Sequence, residues 1–183
     1  FRALLAQLYP SVFAACEPAK LDHTELLFRW RGKSSDSPAV LMAHYDVVPV
    51  EEERWAHPPF CGEVFDGELW GRGTLDTKIT LMGVLESAER LIKEGYVPAH
   101  DIYLAFAGDE EVNGTGAQAA VEALRARGVQ PALVVDEGGA VVSGIFPGVQ
   151  KPIAVVGIGE KGLANMTLTA KSEGGHASHP PLH

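Results

Sequence analysis

Histidine and acidic residues cluster at four separate places in the chain. The clusters are His44-Tyr45-Asp46, Asp76, Asp109-Glu110-Glu111 and Asp136-Glu137. Three of them follow apolar runs, and Asp76 follows the glycine-containing segment Gly71–Leu75. Imidazole and carboxylate groups together suit zinc, manganese or cobalt, whereas magnesium and calcium prefer oxygen ligands alone. The residue types therefore predict a transition-metal site, provided that the four clusters meet.

A shared cation would explain why the clusters come together, because neighbouring carboxylates otherwise repel and raise each other's pKa. Two ions about 3.5–4 Å apart share a bridging carboxylate in many hydrolases. Each cluster also has an ordinary structural interpretation. His44 could be a structural histidine, Asp76 and Asp136 could be capping residues, and Glu110-Glu111 could be a solvated turn. The joint pattern, rather than any single residue, favours the metal site.

Predicted helices and strands alternate along most of the chain. An amphipathic helix is expected over Phe1–Ala15 with an interruption at Pro10, and further helices over Ile79–Glu94 and Ala117–Arg127. The apolar face of the second helix is expected to contain Ile79, Met82, Leu85, Ala88 and Leu91-Ile92. Predicted strands cover Thr24–Arg31, Ala39–His44, Asp101–Ala107 and Ala132–Val135, and we expect the first two to pair.

This alternation predicts an α/β fold with a mixed, largely parallel sheet flanked by helices. Asp66-Gly67, between two short alternating runs, predicts a hairpin turn. In an open α/β sheet, ligands bind beyond the carboxyl ends of the strands. Three of the clusters follow predicted strands, and Asp76 precedes a predicted helix. We therefore expect all four at one rim of the sheet.

The pattern changes after Gly148. Ile153–Gly159 and Leu163–Ala170 predict two strands around Glu160-Lys161-Gly162, without a crossover helix. We place a boundary near Val149–Pro152, with a catalytic metal-binding domain at residues 1–150 and the start of a second domain at residues 151–183. The second unit has about thirty residues, too few to bury a core, so we expect the chain to be truncated.

Composition excludes several classes of protein. Apolar residues make up 46% of the chain, which is typical of a globular protein. Acidic residues outnumber basic ones by 24 to 15, which argues against nucleic acid as a partner. No apolar run is long enough to span a membrane, and two cysteines cannot form a disulfide framework. The compartment stays open, with the cytoplasm slightly favoured.

The motifs together resemble the M20 metallopeptidases, a family that includes glutamate carboxypeptidases, Gly-Xaa carboxypeptidases, carnosinase-type dipeptidases and aminoacylases. The segments that carry the resemblance occur in the family's order and cover nearly the whole chain. They are His44-Tyr45-Asp46-Val47-Val48-Pro49, Trp70–Lys78, Gly108-Asp109-Glu110-Glu111, Asp136-Glu137-Gly138-Gly139 and Gly174-Gly175-His176-Ala177-Ser178. The resemblance implies a zinc-exopeptidase-like fold in the N-terminal part of such an enzyme.

The resemblance also implies a role for each site residue. His44 and Asp136 would bind the first of two zinc ions, Glu111 the second, and Asp76 would bridge both; cobalt or manganese could replace zinc. The peptide bond after Asp76 would be cis. Asp46 would orient the His44 ring, and Glu110 would be the general base.

His176 would belong to an inserted α+β lid domain through which the protein dimerises. In dimeric members this histidine reaches the partner's active site and stabilises the oxyanion. The family's second-metal histidine and the residues that bind the substrate carboxylate would lie beyond residue 183. We expect surface positions for His23, His57 and His100.

The expected activity is therefore hydrolysis of a peptide or amide bond next to a free carboxylate, as in a carboxypeptidase or dipeptidase. Two alternatives stay open. The same site could serve an N-acyl-amino-acid deacylase, or the fragment itself could be inactive and act only as a binding or assembly module. Small peptides or N-acyl amino acids are the expected substrates.

Overall fold

The computed structural model describes residues 1–21, 24–112, 114–159, 162 and 164–171. The chain divides into two compact units, one from Phe1 to Glu137 and one from Gly138 onward. The helices are α1 (Arg2–Leu8), α2 (Pro10–Ala15), α3 (Ile79–Lys93) and α4 (Gly116–Ala126). The strands are β1 (Glu17–Pro18), β2 (Leu26–Trp30), β3 (Ser34–His44), β4 (Glu63–Phe65), β5 (Glu68–Trp70), β6 (His100–Ala107), β7 (Leu133–Val135), β8 (Ala140–Val142) and β9 (Ile153–Val155).

Five of the described strands form the main sheet, in the order β1-β2-β6-β3-β7. β6, β3 and β7 are parallel, whereas β1 and β2 continue the sheet in antiparallel fashion. The predicted mixed α/β architecture is therefore confirmed. The hairpin at Asp66-Gly67 is also confirmed, because β4 pairs antiparallel with β5.

The predicted pairing of Thr24–Arg31 with Ala39–His44, which correspond to β2 and β3, was wrong. β6 lies between β2 and β3, and pairs with both. The intervening segment passes close over the start of β6: a Cβ on Gly32 would lie 2.5 Å from the carbonyl oxygen of His100. The backbone N–H of Gly32 also donates to Asp101 Oδ1 at 2.8 Å. The short connection can therefore cross the start of β6 because Gly32 has no side chain, and the hydrogen bond to Asp101 holds it there. β2 and β3 then lie on opposite sides of β6.

Helices cover both faces of the sheet. On one face, α1, α2 and α3 pack through buried residues that include Leu5, Val12, Leu85, Leu104 and Phe106. On the other face, Leu124 of α4 belongs to a second buried cluster with Leu27, Val40, Tyr103 and Ala105. The sequence correctly predicted these helices, including the interruption at Pro10.

The buried face of α3 differs from the predicted one. Ile79 and Met82 are about half exposed, whereas Leu81, Leu85 and Ala88 are buried. The spacing of 81, 85 and 88 is that of one helical stripe, and this stripe turns Ile79 and Met82 towards the side. Packing against α2 selects among overlapping apolar stripes that the sequence alone could not separate.

In the second unit, β8 and β9 form an antiparallel pair. The predicted strand over Ile153–Gly159 is shorter than expected and pairs with β8, and the described residues 164–171 of the second predicted strand contain no strand. Gly144 and Gly148 have φ angles of 72° and 81°, which only glycine adopts easily, and both lie in the connection between β8 and β9. The domain division at residue 150 and the lid domain stay predictions. Among the described residues, no helix is long and apolar enough to cross a membrane.

Candidate metal centre

Three parallel strands end at the same edge of the sheet. β3 ends at His44, β6 ends at Ala107 just before Asp109, and β7 ends at Val135 just before Asp136. The pairing register places His44 opposite Ala107, and Leu41 opposite Val135. Because carboxyl ends of parallel strands point the same way, the polar residues that follow them share one rim.

His44 lies at the centre of this rim. His44 is only 2% exposed, although its side chain is polar. Ring atom Nε2 lies 3.0 Å from Asp76 Oδ1 and 3.1 Å from Glu137 Oε1. Nδ1 lies 3.3 Å from both Asp46 Oδ1 and the Asp46 carbonyl oxygen. One imidazole is therefore surrounded by carboxylates from three separate segments of the chain.

Asp46 connects two of these segments. One of its carboxylate oxygens faces the His44 ring, and the other accepts the backbone N–H of Glu111 at 2.9 Å. A carboxylate that contacts the second nitrogen of an imidazole fixes the orientation and tautomer of the ring. The orienting role of Asp46, which the resemblance implies, stays a prediction.

Asp76 reaches the rim from the tight turn Thr74–Lys78, which leads into α3. The Asp76-Thr77 peptide bond is cis, as the resemblance implied. Thr77 is buried and its hydroxyl contacts the Thr80 hydroxyl at 2.7 Å, so the side chain after Asp76 faces inward. The Asp76 carboxylate itself is 66% exposed and points outward to the rim.

The described residues contain two groups of three ligand atoms that could each hold one ion. The first is His44, Asp76 and Glu111, and the second is His44, Glu110 and Glu137; within each group the ligand atoms lie within 4.8 Å of one another. A mixture of one imidazole nitrogen with carboxylate oxygens fits zinc, cobalt or manganese. The donor chemistry of the rim therefore fits the predicted metal.

At the end of β7, the structure brings Glu137 rather than Asp136 to His44. Asp136 belongs to neither ligand group in the described part of the chain. Successive side chains point in different directions, so only one of two adjacent carboxylates reaches a given point. The sequence contains both acidic residues and no local signal that chooses between them. Glu137 is therefore a candidate that sequence reasoning missed, and His176 lies outside the described residues.

The crowding of charges shifts the titration of the rim. Burial and the neighbouring carboxylates raise the pKa of Glu110, although the charge of His44 opposes this. Burial likewise raises the pKa of Glu137, with Asp76 adding to the effect. Burial lowers the pKa of His44, but the Asp76 contact and the surrounding negative charges outweigh it and leave the pKa raised. Burial is thus the main cause of the raised pKa of the two glutamates, whereas the surrounding carboxylates raise the pKa of His44.

A cleft of about 390 Å³ adjoins the rim. Asp76 and Glu111 form part of its wall, and the remaining wall includes Trp55, Leu69, Trp70 and Leu75. The guanidinium of Arg72 lies 5.1 Å from the centre of the Trp55 ring. A molecule with one apolar end and one polar end could bind in this cleft, with the polar end at the rim.

His57 belongs to the aromatic cluster beside this cleft. Its ring stacks on Phe65 with centroids 3.7 Å apart and contacts Trp70 edge-on at 4.7 Å. Our prediction of a surface position for His57 was incomplete, because the ring is packed between aromatic residues. The signal that could have found it is the aromatic content on both sides of the β4–β5 hairpin.

A family model described as peptidase family M20/M25/M40 matches residues 40–182. The chain belongs to the M20 peptidase family. It is 41% identical to the N-fatty-acyl-amino acid synthase/hydrolase PM20D1 of Xenopus tropicalis, over 99% of this chain and 36% of that protein. It is 38% identical to the probable carboxypeptidase S-like 2 of Dictyostelium discoideum, over 98% of this chain and 36% of that protein. The M20 chain thus spans little more than a third of the length of these relatives.

Solved structures of the same family share the fold. Human carnosine dipeptidase 1 has a TM-score of 0.60 and 18% identity, over 74% of this chain and 32% of that chain. The M20 family metallo-carboxypeptidase Sso-CP2 of Sulfolobus solfataricus has a TM-score of 0.61 and 20% identity, over 76% and 33%. These structures confirm the zinc-exopeptidase-like fold, and the family model confirms the family.

Proposed function

We propose that the protein is a metal-dependent hydrolase that cleaves a peptide or amide bond next to a free carboxylate. The observation that carries the proposal is the meeting of His44 with carboxylates from three other segments at one rim. Such a concentration of negative charge is unfavourable in a protein unless a cation is bound. Membership of a peptidase family supplies the class of reaction.

We propose two zinc ions as the bound metals, with cobalt or manganese as substitutes. His44 would hold the first ion together with Asp136 or Glu137, Glu111 would hold the second, and Asp76 would bridge them. The bridging role is supported by the exposed Asp76 carboxylate, whose Oδ1 lies close to His44 in a group that also contains Glu111. Bound zinc supplies Lewis-acid polarisation of the scissile carbonyl and lowers the pKa of water.

Glu110 is the proposed general base. It would take a proton from the attacking water and pass it to the leaving nitrogen. The raised pKa of Glu110, caused mainly by burial, brings the carboxylate closer to the operating pH, where general bases work best. Asp46 would hold the His44 ring in place through the contacts at Nδ1. His176 would stabilise the oxyanion from the partner of a homodimer formed through the lid.

A second candidate is an N-acyl-amino-acid deacylase that uses the same residues. The cleft beside Asp76 favours it, because the Trp55, Leu69 and Trp70 side chains in its wall could accommodate an acyl chain. The names of relatives such as PM20D1 point in the same direction. Parallel assays of dipeptides, N-acetyl amino acids and N-fatty-acyl amino acids with the whole protein distinguish the two activities.

A matched pair of substitutions tests the proposed division of labour between neighbouring carboxylates. We expect Glu110→Gln to retain zinc while turnover falls by a factor of about 10²–10⁴, the usual contribution of a general base. Glu111→Gln should instead lose zinc. The measurements are metal content after dialysis and initial rates. A Glu110→Gln variant that keeps most of its activity would show that the base is assigned wrongly.

Three further variants test the metal ligands. Asp76→Ala should release both ions, and two retained equivalents would contradict the bridge. Comparing Asp136→Asn with Glu137→Gln identifies which acidic residue after β7 binds the first ion. Of these two variants, the one that replaces the true ligand should weaken zinc binding, and the other should leave zinc binding nearly unchanged. Equal retention of zinc in both variants would remove this segment from the metal site.

A further inference from the structure

A buried acidic residue outside the rim has no obvious structural use. Glu25 directly precedes β2, is 3% exposed, and its Oε2 has no hydrogen-bond partner among the described residues. Buried polar groups are normally paired, because removing them from water is unfavourable. The side chain therefore needs an explanation other than stability.

The neighbours of Glu25 supply one. The register pairs Leu26 with Phe106, so that Glu25 lies beside the end of β6. Its Oε2 would lie 2.7 Å from a Cβ on Gly116, the first residue of α4. The same Cβ would also collide with the carboxylate of Asp109. Two carboxyl groups thus meet at one glycine, where no larger residue fits.

Asp109 joins the start of the turn that contains Glu110 and Glu111 to the residues that follow this turn. Its carboxylate oxygens accept the backbone N–H of Gly116 at 3.2 and 3.1 Å. Its carbonyl oxygen accepts the N–H of Gly114 at 2.8 Å. The position of Asp109 therefore determines where the next two carboxylates, Glu110 and Glu111, are presented to His44.

We infer that Glu25 is a positioning residue, whose buried carboxyl group packs against Asp109 and thereby fixes the turn that presents Glu110 and Glu111. This inference rests on the proposed function, because the turn matters for catalysis only if those two residues bind metal and act as base. Burial and the charge of Asp109 raise the pKa of Glu25 to about 7. A protonated Glu25 carries an O–H donor, and the Asp109 carboxylate, which shares the position beside Gly116, is the nearby acceptor group.

The first test is amide hydrogen exchange in the metal-free whole protein. Glu25→Leu removes the carboxyl group at similar size, and Glu25→Gln keeps a hydrogen-bond donor. We expect Glu25→Leu to speed exchange at the Glu111 and Gly116 amides about tenfold, without lowering thermal stability. Glu25→Gln should keep wild-type protection. If Glu25 were only a structural residue, Glu25→Leu would change thermal stability, and exchange at Glu111 and Gly116 would change only as much as that of the whole fold.

The second test is zinc affinity. Loss of a supporting residue around a metal site typically weakens binding 10–100-fold, and we expect such a loss in Glu25→Leu with recovery in Glu25→Gln. Glu89→Gln is the matched control, since Glu89 is also buried but lies on α3 and contacts α2. That variant should lose stability and keep zinc affinity.

The outcomes separate the inference from the proposed function. Unchanged exchange at Glu111 and Gly116 in Glu25→Leu would overturn the positioning role, whatever zinc does. Equal loss of zinc affinity in Glu25→Leu and Glu89→Gln would also overturn it. If exchange responds as expected but no variant, including the wild type, binds zinc, the positioning role stands and the proposed metal site fails.

Discussion

Replacing Glu25 by glutamine should make the folded chain more stable at alkaline pH. The carboxyl group is 3% exposed, and burial together with Asp109 raises its pKa from 4.5 to about 7. In the unfolded chain the group ionises near its ordinary pKa. Between these two values the folded state binds more protons, so the contribution of Glu25 lowers stability as pH rises from 4.5 to 7. Two further charged or titratable groups near Glu25 are Tyr45 and Arg2, whose guanidinium donates a hydrogen bond to the Glu25 carbonyl oxygen.

The size of the change in the free energy of unfolding follows from the pKa shift of Glu25. One pKa unit corresponds to about 1.4 kcal/mol, so a shift from 4.5 to about 7 lowers the free energy of unfolding by about 3 kcal/mol above pH 7. Below pH 4.5 the acid is protonated in both states and the cost disappears. Glu25→Gln should therefore match the wild type at pH 4 and exceed it by about 3 kcal/mol at pH 8.

Urea unfolding followed by tryptophan fluorescence at both pH values measures this difference. Trp30 is 7% exposed and lies in β2, close to Glu25 in sequence, so its emission reports on the relevant core. Glu122→Gln, a substitution of an exposed glutamate in α4, is the control and should change stability little at either pH. A stability difference that is the same at pH 4 and pH 8 would refute the reasoning.

Three other predictions concern the stability of the fold. Burial raises the pKa of Glu89, but hydrogen bonds from the backbone N–H groups of Val12 and Ser11 and the contact with Lys93 outweigh it and lower the pKa to about 2. Glu89→Gln should therefore cost about 2–3 kcal/mol at pH 7, and the difference should vanish as pH falls from 4.5 to 2 in urea titrations. A Cβ on Gly108 would lie 2.5 Å from the Tyr45 ring, so Gly108→Ala should lower stability by about 1–3 kcal/mol in thermal melts. A Cβ on Gly83 in α3 would meet no neighbour, so Gly83→Ala should raise stability by about 0.5–1 kcal/mol in the same melts. Leu85→Ala, at a fully buried position, should cost about 3 kcal/mol by the same measurement, and a loss below about 1 kcal/mol would contradict the packing described.

Local patterns in the sequence were enough to identify most elements. The 3.6-residue periodicity predicted α3 and α4, Pro10 predicted the break between α1 and α2, and Asp66-Gly67 predicted the β4–β5 hairpin. Such signals depend on residues a few positions apart, and the free energies involved are local. The resemblance of the motifs added the family, the fold and the cis peptide bond after Asp76. The roles assigned to the site residues stay predictions.

The order of the strands was not readable from the sequence. A short connection between β2 and β3 favours a hairpin, yet β6 lies between them. The deciding contacts join residues far apart in the chain, such as Gly32 with Asp101 and Arg29 with Asp101 at 2.5 Å. Their contribution depends on the packing of the whole sheet, which no local window of sequence contains.

By itself, the sequence determined which chemical groups the protein could use and which class of fold would hold them. Only the tertiary structure decided that Glu137 rather than the adjacent Asp136 contacts His44, and that Glu25 and Asp109 both lie beside Gly116. The physical reason is that the direction of a side chain in a turn follows from the backbone path between distant anchors. That path is set by packing and by hydrogen bonds that form only when the chain is folded.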